Sequence, residues 1–258
     1  MKTVILAGGQ GTRISEETEK KPKPMVEIND MPLLWHIMKE FSYYNYNDFI
    51  VCAGYKQEYI KQWFARYFIN SSDITFNYRE DNKIIFHKTK VEPWQVTIVN
   101  TGCNTNTGGR IKQIKEYINN ETFFLTYGDG LCDINLNKLY EYHKNHGKIA
   151  TITSVNRKQD KGILDIDLNN TVKDFREKNY KDFVTINAGY MVVEPEIFNY
   201  IDGDECSLEF EVFKVLAKEG QLKSYHHEGF WQCVDCLRDK FYLEELAKKG
   251  FTPWLKSL

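Results

Sequence analysis

The sequence lacks the features that mark membrane, secreted and nucleic-acid-binding proteins. No apolar run approaches the roughly 20 residues that cross a bilayer, and the amino-terminal residues lack the layout of a secretory signal. The six cysteines are mostly scattered, which does not suit a disulfide framework. A net charge of −2 gives no general attraction to nucleic acids or anionic membranes. We therefore expect a cytoplasmic protein with neither nucleic acid nor membrane as its partner.

The chain also lacks internal repeats, low-complexity tracts and proline- or serine-rich linkers, so we expect residues 1–258 to form a single domain. What it has is an alternation of short apolar runs with helical stripes. The runs Thr3–Ala7 and Asp48–Ala53 predict buried strands, and the stripes at 32–44 and 55–68 predict helices. This alternation predicts an α/β fold with a Rossmann-like, mixed, mostly parallel sheet flanked by helices.

Residues 73–101 interrupt that alternation. Apolar and polar side chains alternate around Ile74, Phe76 and Tyr78 and again around Val96 and Ile98, which predicts an antiparallel β excursion off the main sheet near 73–101. The rest of the chain predicts strands at 122–127, 148–155 and 185–193, a hairpin that pairs 162–167 with 171–176, and helices at 107–118, 136–146, 208–218 and 237–248.

A glycine-rich turn follows the first predicted strand in the sequence MKTVILAGGQGTR. Glycines at such a position allow backbone N–H groups to approach phosphate oxygens closely. The dinucleotide fingerprint G-x-G-x-x-G fits poorly because Ile14 stands at the third glycine position, and no G-K-[ST] follows to make a Walker A loop. The turn is therefore either a phosphate cradle of another kind or a purely structural turn.

Two cationic residues follow the glycine-rich turn. Arg13 comes directly after it, and Lys23 stands between two prolines in the segment KPKPM, where the backbone is stiff. Cations held on a stiff segment beside a glycine-rich turn suit a ligand that carries several phosphate charges. A solvated basic turn is the alternative.

The segments LAGGQGTR and KPKPMVEI resemble the signature of the sugar-phosphate nucleotidyltransferases, and similar segments follow in order along nearly the whole chain. They include VEPWQVTIVNTG, TGGRIK, TYGDGLCDIN and FWQCVDCLRDK. Within the family, the EPWxVT stretch is similar to the cytidylyl branch. The resemblance implies transfer of CMP from CTP to a sugar 1-phosphate, with α-D-glucose 1-phosphate expected, to give CDP-glucose and pyrophosphate. The alternatives are another sugar phosphate, another nucleotide such as UTP or dTTP, or an inactive regulatory relative.

The resemblance also assigns roles to particular residues. It implies that Arg13, Lys23 and Asp129 are catalytic, and that Asp129 and Asp235 bind Mg²⁺, which prefers oxygen ligands. The amino-terminal part of the domain is expected to bind mainly the nucleotide and the carboxy-terminal part mainly the sugar phosphate. The implied nucleotide-binding residues are Leu6, Ala7, Gly8, Gly9, Gly11, Thr12, Arg13, Lys23, Thr107, Gly108, Arg110 (toward the cytosine) and Gly128. The implied sugar-phosphate-binding residues are Glu177, Lys178, Asn187, Gly189 and Trp231.

Each metal-binding assignment has a structural alternative. Asp129 follows a predicted buried strand, where ligands bind in open α/β sheets, but Gly-Asp-Gly is also a common turn sequence. Asp235 shortly precedes a predicted helix and is suited to cap it. Because the two aspartates lie far apart in the chain, only folding could bring them together.

The chain departs from the family pattern on the sugar side. It reads Glu177-Lys178-Asn179, Asn187-Ala188-Gly189 and Asp160-Lys161-Gly162 where relatives usually have Glu-Lys-Pro, Asn-Gly-Gly and Arg-Phe-Gly. These departures leave the identity of the sugar open, whereas the nucleotide side is intact. The resemblance further implies a homo-oligomer, a hexamer, with the aromatic-rich excursion near 73–101 as the expected contact.

Overall fold

A computed structural model describes residues 1–158, 162–176 and 183–256. Its strands are β1 (Thr3–Ala7), β2 (Glu27–Ile28), β3 (Met31–Pro32), β4 (Asp48–Ala53), β5 (Ser72–Asn77), β6 (Lys83–Thr89), β7 (Gln95–Asn100), β8 (Phe123–Tyr127), β9 (Gly130–Cys132), β10 (Ala150–Lys158), β11 (Ile163–Ile166), β12 (Val172–Arg176), β13 (Phe183–Val193), β14 (Leu222–His226) and β15 (Trp231–Cys233). Its α-helices are α1 (Ser15–Thr18), α2 (Leu33–Tyr43), α3 (Gln57–Asn70), α4 (Thr107–Gln113), α5 (Lys115–Ile118), α6 (Leu136–His146), α7 (Phe213–Lys218) and α8 (Leu237–Lys248).

Seven strands form the main sheet in the order β14-β10-β13-β8-β1-β4-β7. The ladders of β14 with β10, of β8 with β1, of β1 with β4 and of β4 with β7 are parallel, whereas β13 runs antiparallel to both of its neighbours. The sheet is therefore mixed and mostly parallel, which confirms the predicted fold class.

Strand β1 lies near the middle of the sheet and is buried on both faces. Val4 and Leu6 pack in the hydrophobic cluster on one face, and Ile5 and Ala7 pack in the cluster on the other. Successive side chains of a strand point to opposite faces, so a continuous apolar run suits a strand that is covered by helices on both sides. This is the physical reason why the opening run of the sequence forms a central strand.

The antiparallel excursion is shorter than predicted. Strands β5 and β6 form a two-stranded antiparallel hairpin off the main sheet, as expected. Strand β7 instead lies at the edge of the main sheet, where it is parallel to β4 with Gln95 opposite Asp48. Alternating apolar residues indicate a half-buried strand but carry no information about the direction of its partner, and so the prediction for 95–101 was wrong.

Two predicted helices are interrupted. The helix predicted at 107–118 is divided at Ile114 into α4 and α5, and the helix predicted at 208–218 begins with a π-helical segment, Leu208–Val212, before α7. Among the described residues, no helix combines the length and the apolar character needed to span a membrane.

The strand directions bring several loops to one edge of the sheet. Strands β1, β4, β7 and β8 are parallel in register, so the loops that follow Ala7, Ala53, Asn100 and Tyr127 all emerge at their carboxyl ends. Ligands of open α/β sheets bind at this edge.

Candidate nucleotide and metal site

The glycine-rich turn after β1 is shaped by two packing requirements. A Cβ atom on Gly8 would lie 2.0 Å from Nη1 of Arg110, and Gly11 has a φ of +66° with a Cβ position 2.8 Å from Thr18. By contrast, a Cβ atom on Gly9 would meet no atom within 4 Å. Gly8 and Gly11 are therefore required by the fold of the turn itself, while Gly9 faces open space.

Arg110 is a buried brace beneath this turn. It is 4% exposed, and its Nη1 donates hydrogen bonds to Thr101 Oγ1 and to the Gly102 carbonyl, both at 2.7 Å. Its Nη2 donates to the Gly8 carbonyl at 3.1 Å, and burial lowers the pKa of the guanidinium. The side chain thus ties the loop after β7 to the loop after β1. This geometry favours bracing over the predicted contact with cytosine, which stays a prediction.

A cavity of about 350 Å³ opens beside the turn, a size that suits a small-molecule ligand. The predicted nucleotide-binding residues that line it are Leu6, Ala7, Gly8, Gly9, Gly11, Thr12, Arg13, Lys23, Thr107, Arg110 and Gly128, together with Asp129. Gly108 does not line it, because its N–H donates to the Cys206 carbonyl at 2.9 Å and a Cβ atom there would lie 2.7 Å from the same oxygen. Gly108 therefore allows helix α4 to approach the segment before Leu208.

Four further residues line the cavity that sequence reasoning missed: Pro24, Thr105, Asn106 and Tyr127. Tyr127 donates its hydroxyl hydrogen to Glu209 at 2.6 Å, and Thr107 donates to the other oxygen of the same carboxylate at 2.7 Å. Glu209 lies on the π-helical segment and so joins two walls of the cavity. No local pattern in the sequence signals this connection, because its members come from three distant segments.

Four charged side chains converge at one end of the cavity. The Nζ atom of Lys23 lies 2.6 Å from Oδ2 of Asp129 and 2.8 Å from Oδ1 of Asp235. Nη2 of Arg13 lies 2.9 Å from the same Oδ1 of Asp235. The two aspartates that the sequence left far apart are thus brought to one cation.

A short antiparallel ribbon holds the two carboxylates together. Strands β9 and β15 pair with Gly130 opposite Cys233, and the N–H of Val234 donates to the Asp129 carbonyl at 2.9 Å. Asp129 directly precedes β9 and Asp235 closely follows β15, so the two aspartates lie at the same end of the antiparallel ribbon. Lys23 belongs to a third segment. It is the first residue of a 3₁₀ turn, and the prolines on both sides of it restrict the backbone there.

The alternative role of Asp235 as a helix cap is wrong. Cys236 is the N-cap residue of α8, and Asp239 closes the capping box by accepting hydrogen bonds from the N–H groups of Asp235 and Cys236, both at 2.9 Å. The carboxylate of Asp235 is left to face Lys23 and Arg13.

The electrostatics of the cluster follow from this geometry. Burial by itself lowers the pKa of Lys23, but the carboxylates, with Asp129 the strongest, outweigh burial and raise that pKa above its usual value. Burial by itself raises the pKa of Asp235, but Lys23 and then Arg13 outweigh it and lower that pKa. Both interactions favour the charged forms.

The two carboxylates of the cluster suit a hard divalent cation, whereas the neighbouring Cys233 thiol is a soft ligand. Carboxylate oxygens of Asp129 and Asp235 and the sulfur of Cys233 all lie within 4.8 Å of one another. The Lys23 ammonium, which touches both carboxylates, demonstrates that one cation can be held between them. Carboxylate plus phosphate oxygens is the environment in which proteins hold Mg²⁺.

The described part of the sugar side lies next to the cavity. Oδ1 of Asn187 accepts a hydrogen bond from the Gly189 N–H at 2.8 Å, and Nε1 of Trp231 donates to the Ala188 carbonyl at 2.8 Å. Gly189 has a φ of +85°, and a Cβ atom there would lie 2.6 Å from the Tyr127 ring. The segment 187–189 therefore reaches the cavity wall through Tyr127. Glu177 and Lys178 lie outside the described residues.

An α/β sheet with a glycine-rich turn, two cations and a carboxylate pair at its carboxyl edge is typical of proteins that bind phosphorylated nucleotides. The family model for "Nucleotidyl transferase" matches residues 2–235, and the chain belongs to this family.

Proteins of known name agree with this assignment. The chain is 49% identical to a glucose-1-phosphate cytidylyltransferase of Salmonella typhi, over 98% of both chains. It is 40% identical to a probable glucose-1-phosphate cytidylyltransferase of Bacillus subtilis, over 98% of this chain and 99% of that protein. The crystal structure of HddC from Yersinia pseudotuberculosis has the same fold, with a TM-score of 0.68 at 24% identity, covering 95% of this chain and 98% of that one.

Proposed function

We propose that this chain transfers CMP from CTP to α-D-glucose 1-phosphate, giving CDP-glucose and pyrophosphate. The observation that carries the proposal is the convergence of Arg13, Lys23, Asp129 and Asp235 at one end of a nucleotide-sized cavity. Relatives that bear this activity in their names match the chain over nearly its whole length.

The reaction asks more of charge stabilisation than of proton transfer. The attacking phosphate oxygen of the sugar phosphate is already an anion, so no general base is required. The difficulty lies in bringing two anions together and in stabilising the charge that develops on the departing pyrophosphate. Cations and backbone donors placed beside the cavity meet this need.

Each residue of the cluster has a distinct part. Arg13 is 74% exposed at the side chain and reaches over the mouth of the cavity, where its planar fork suits the β- and γ-phosphate oxygens. Lys23 is nearly buried and holds its ammonium against both carboxylates, and we assign it to the α-phosphate. The open backbone at Gly9 leaves room for the phosphate chain to approach.

Asp129 and Asp235 are the residues that would hold Mg²⁺. When bound there, the ion neutralises phosphate charge and adds a Lewis acid beside the reacting phosphorus. Before any ligand binds, the two carboxylates hold the Lys23 ammonium by direct ion pairs.

The sugar phosphate is proposed to bind toward Asn187, Gly189 and Trp231, with Glu177 and Lys178 as further contacts. If Lys178 holds the sugar phosphate, then Lys178→Ala should raise the KM for that substrate by about 10- to 100-fold, the loss expected for one charge-assisted hydrogen bond. The KM for CTP should change far less. Equal changes in both constants in steady-state assays would contradict the assignment.

The decisive experiment measures pyrophosphate release with Mg²⁺ and a matrix of substrates. CTP, UTP and dTTP are each paired with glucose 1-phosphate, mannose 1-phosphate and galactose 1-phosphate, and kcat/KM is compared. We expect CTP with glucose 1-phosphate to be the best pair. A clear preference for another sugar with CTP would correct the substrate, a preference for another nucleotide would correct the base, and no release with any pair would indicate an inactive relative.

We also propose that the protein acts in the cytoplasm as a homo-oligomer, with a hexamer expected. The hairpin of β5 and β6 supports this proposal, because all of β6 is exposed and the hairpin displays Phe76, Tyr78, Ile84 and Phe86 to solvent. An isolated two-stranded hairpin is at best marginally stable in water, and a second copy would cover it. Light scattering of the wild type and of Phe86→Glu tests this, with smaller particles expected for the variant and unchanged particles contradicting the contact.

A further inference from the structure

We propose that Lys23 is an internal cation that occupies the metal position between Asp129 and Asp235 and must yield it, so that the metal binds tightly only together with the nucleotide. This inference rests on the proposed function and specifies how metal and nucleotide binding are coupled at the same site.

The first step is geometric. The Lys23 ammonium lies 2.6 Å from one carboxylate and 2.8 Å from the other, so it stands where a cation must stand to touch both. The lysine side chain is 10% exposed and lines the cavity. A metal ion that binds both aspartates has to displace this ammonium.

The second step is a count of charges. Asp129 and Asp235 carry two negative charges, and Lys23 and Arg13 carry two positive charges within ion-pair distance of them. The cluster is therefore neutral before any ligand arrives. A bare divalent ion gains less by entering this neutral cluster than by entering an unpartnered carboxylate pair, since the two nearby cations offset part of the attraction by the carboxylates.

The third step is the effect of the nucleotide. The glycine turn, Arg13 and Lys23 all line the same cavity, so a triphosphate bound there presents several negative charges to both cations. The phosphate oxygens pair with Lys23 and Arg13 in place of the carboxylates. The carboxylates are then free to bind a metal. Metal and nucleotide then strengthen each other's binding, and by linkage the factor is the same in both directions.

The exchange makes a prediction about metal binding without catalysis. Binding of Mn²⁺, which takes the same oxygen ligands as Mg²⁺, is followed by the loss of the free-ion electron paramagnetic resonance signal. For the wild type, we expect weak binding of Mn²⁺ alone. With CTP present, we expect the protein to bind Mn²⁺ at least about tenfold more tightly than CTP does in solution, which is measured by a titration without protein. For Lys23→Gln, binding of Mn²⁺ alone should already be at least about tenfold tighter than in the wild type, because the competing charge is gone.

Two further variants make the test specific. Lys21→Gln removes a neighbouring lysine whose side chain is also little exposed but pairs with Glu27 at 3.1 Å, and it should leave Mn²⁺ binding unchanged. Arg13→Gln removes an exposed side chain from Asp235 alone and should tighten Mn²⁺ binding by a smaller factor of about two to three. Because Arg13 is exposed, this variant is expected to fold even if Lys23→Gln does not.

The outcomes separate the exchange from the proposed function. Equal Mn²⁺ affinity in the wild type, Lys23→Gln and Arg13→Gln would overturn the exchange. Tighter Mn²⁺ binding in Lys21→Gln as in Lys23→Gln would also overturn it, because a general loss of positive charge would then explain the effect. If Lys23→Gln binds Mn²⁺ more tightly but CTP does not bind to the wild type, the exchange is supported and the proposed nucleotide is wrong.

Discussion

Two lysine–carboxylate clusters lie at opposite ends of the main sheet and differ in how their charges are shared. At the carboxyl end of β1, Asp235 Oδ1 accepts from both Lys23 and Arg13, and Lys23 serves two carboxylates. Near the amino end of β7, Lys39 pairs with one oxygen of Glu92 at 3.1 Å, and the Tyr67 hydroxyl donates to the other at 2.6 Å. The first cluster shares its partners, whereas the second gives each oxygen a partner of its own.

The second cluster contains the EPWxVT stretch that resembles the cytidylyl branch. Trp94 stacks on Tyr67, packs edge-on against Phe49 and donates its Nε1 hydrogen to Ser42 at 3.1 Å. None of these residues lines the cavity beside the glycine turn. The stretch that resembles the cytidylyl branch thus packs between β7 and the neighbouring helices, and it does not line the cavity. A cluster with exchangeable partners suits ligand binding, and a fully partnered cluster suits stability.

The largest expected effect separates the two clusters by activity. We expect Asp129→Asn to lower kcat by about 10³-fold or more at saturating Mg²⁺, since loss of this proposed metal ligand would remove several kcal/mol of transition-state stabilisation. The matched change in the other cluster, Glu92→Gln, should leave kcat within about twofold. Steady-state kinetics and thermal melts of both variants test this. Near-normal turnover of Asp129→Asn would remove Asp129 from the reacting centre.

The second prediction separates the clusters by stability. Trp94→Ala should lower the free energy of unfolding by about 3 kcal/mol, because it removes aromatic packing and leaves a cavity. The preference of the Trp94→Ala enzyme for CTP over UTP should not change, because Trp94 does not line the cavity beside the glycine-rich turn. Trp94→Phe keeps part of the packing and should cost less. A changed CTP-to-UTP ratio with unchanged stability would contradict the packing role.

The third prediction concerns His36, a buried histidine on helix α2 that contacts strand β2. Burial lowers the pKa of His36 from 6.5 to about 4, and its ring accepts a hydrogen bond from Trp254 at 3.2 Å while Nε2 faces the Ile28 carbonyl at 2.9 Å. The folded state therefore keeps His36 neutral. Its contribution to stability is fully present above pH 6.5 and is lost as the pH falls toward 4.

Between pH 7 and pH 5, this residue alone should reduce the free energy of unfolding by about 2 kcal/mol. Denaturant titrations at both pH values measure the loss. His36→Gln should remove this part of the pH dependence, whereas His226→Gln, at an exposed histidine, should retain it. An unchanged pH dependence in His36→Gln would contradict the assignment.

The sequence predicts the parts of the fold that depend on local pattern. The apolar run at β1 and the stripe at α2 are visible because burial imposes a period of two or 3.6 residues. The orientation of β7 is not visible, because a strand carries no mark of its partner's direction. The break at Ile114 is also not visible, because no glycine or proline marks that position in the sequence.

The residues of the site can also be divided into those that the sequence reveals and those that it does not. The glycine turn and the KPKPM segment are contiguous motifs, and so the sequence reveals them together with Arg13 and Lys23. The pairing of Asp129 with Asp235 depends on the β9–β15 ribbon, which joins segments about a hundred residues apart, and only the resemblance predicted it. Glu209 belongs to none of the quoted motifs, and its hydrogen bond with Tyr127 becomes visible only in the folded structure.

The smallest predicted effect probes the shared cluster by changing the shape of a cation without changing its charge. Arg13→Lys keeps one positive charge near Asp235 but replaces a planar fork with a single ammonium, which cannot grip two phosphate oxygens at once. We expect kcat to fall about tenfold, because the variant would lose one charge-assisted hydrogen bond to the departing pyrophosphate. The KM for the sugar phosphate should hardly change, because Arg13 is proposed to contact the nucleotide phosphates and not the sugar phosphate. Full kinetic constants with both substrates varied decide the matter. If Arg13→Lys retains kcat, the exposed arginine serves only to neutralise Asp235, and Lys23 is then the cation of the shared cluster that acts on the phosphates.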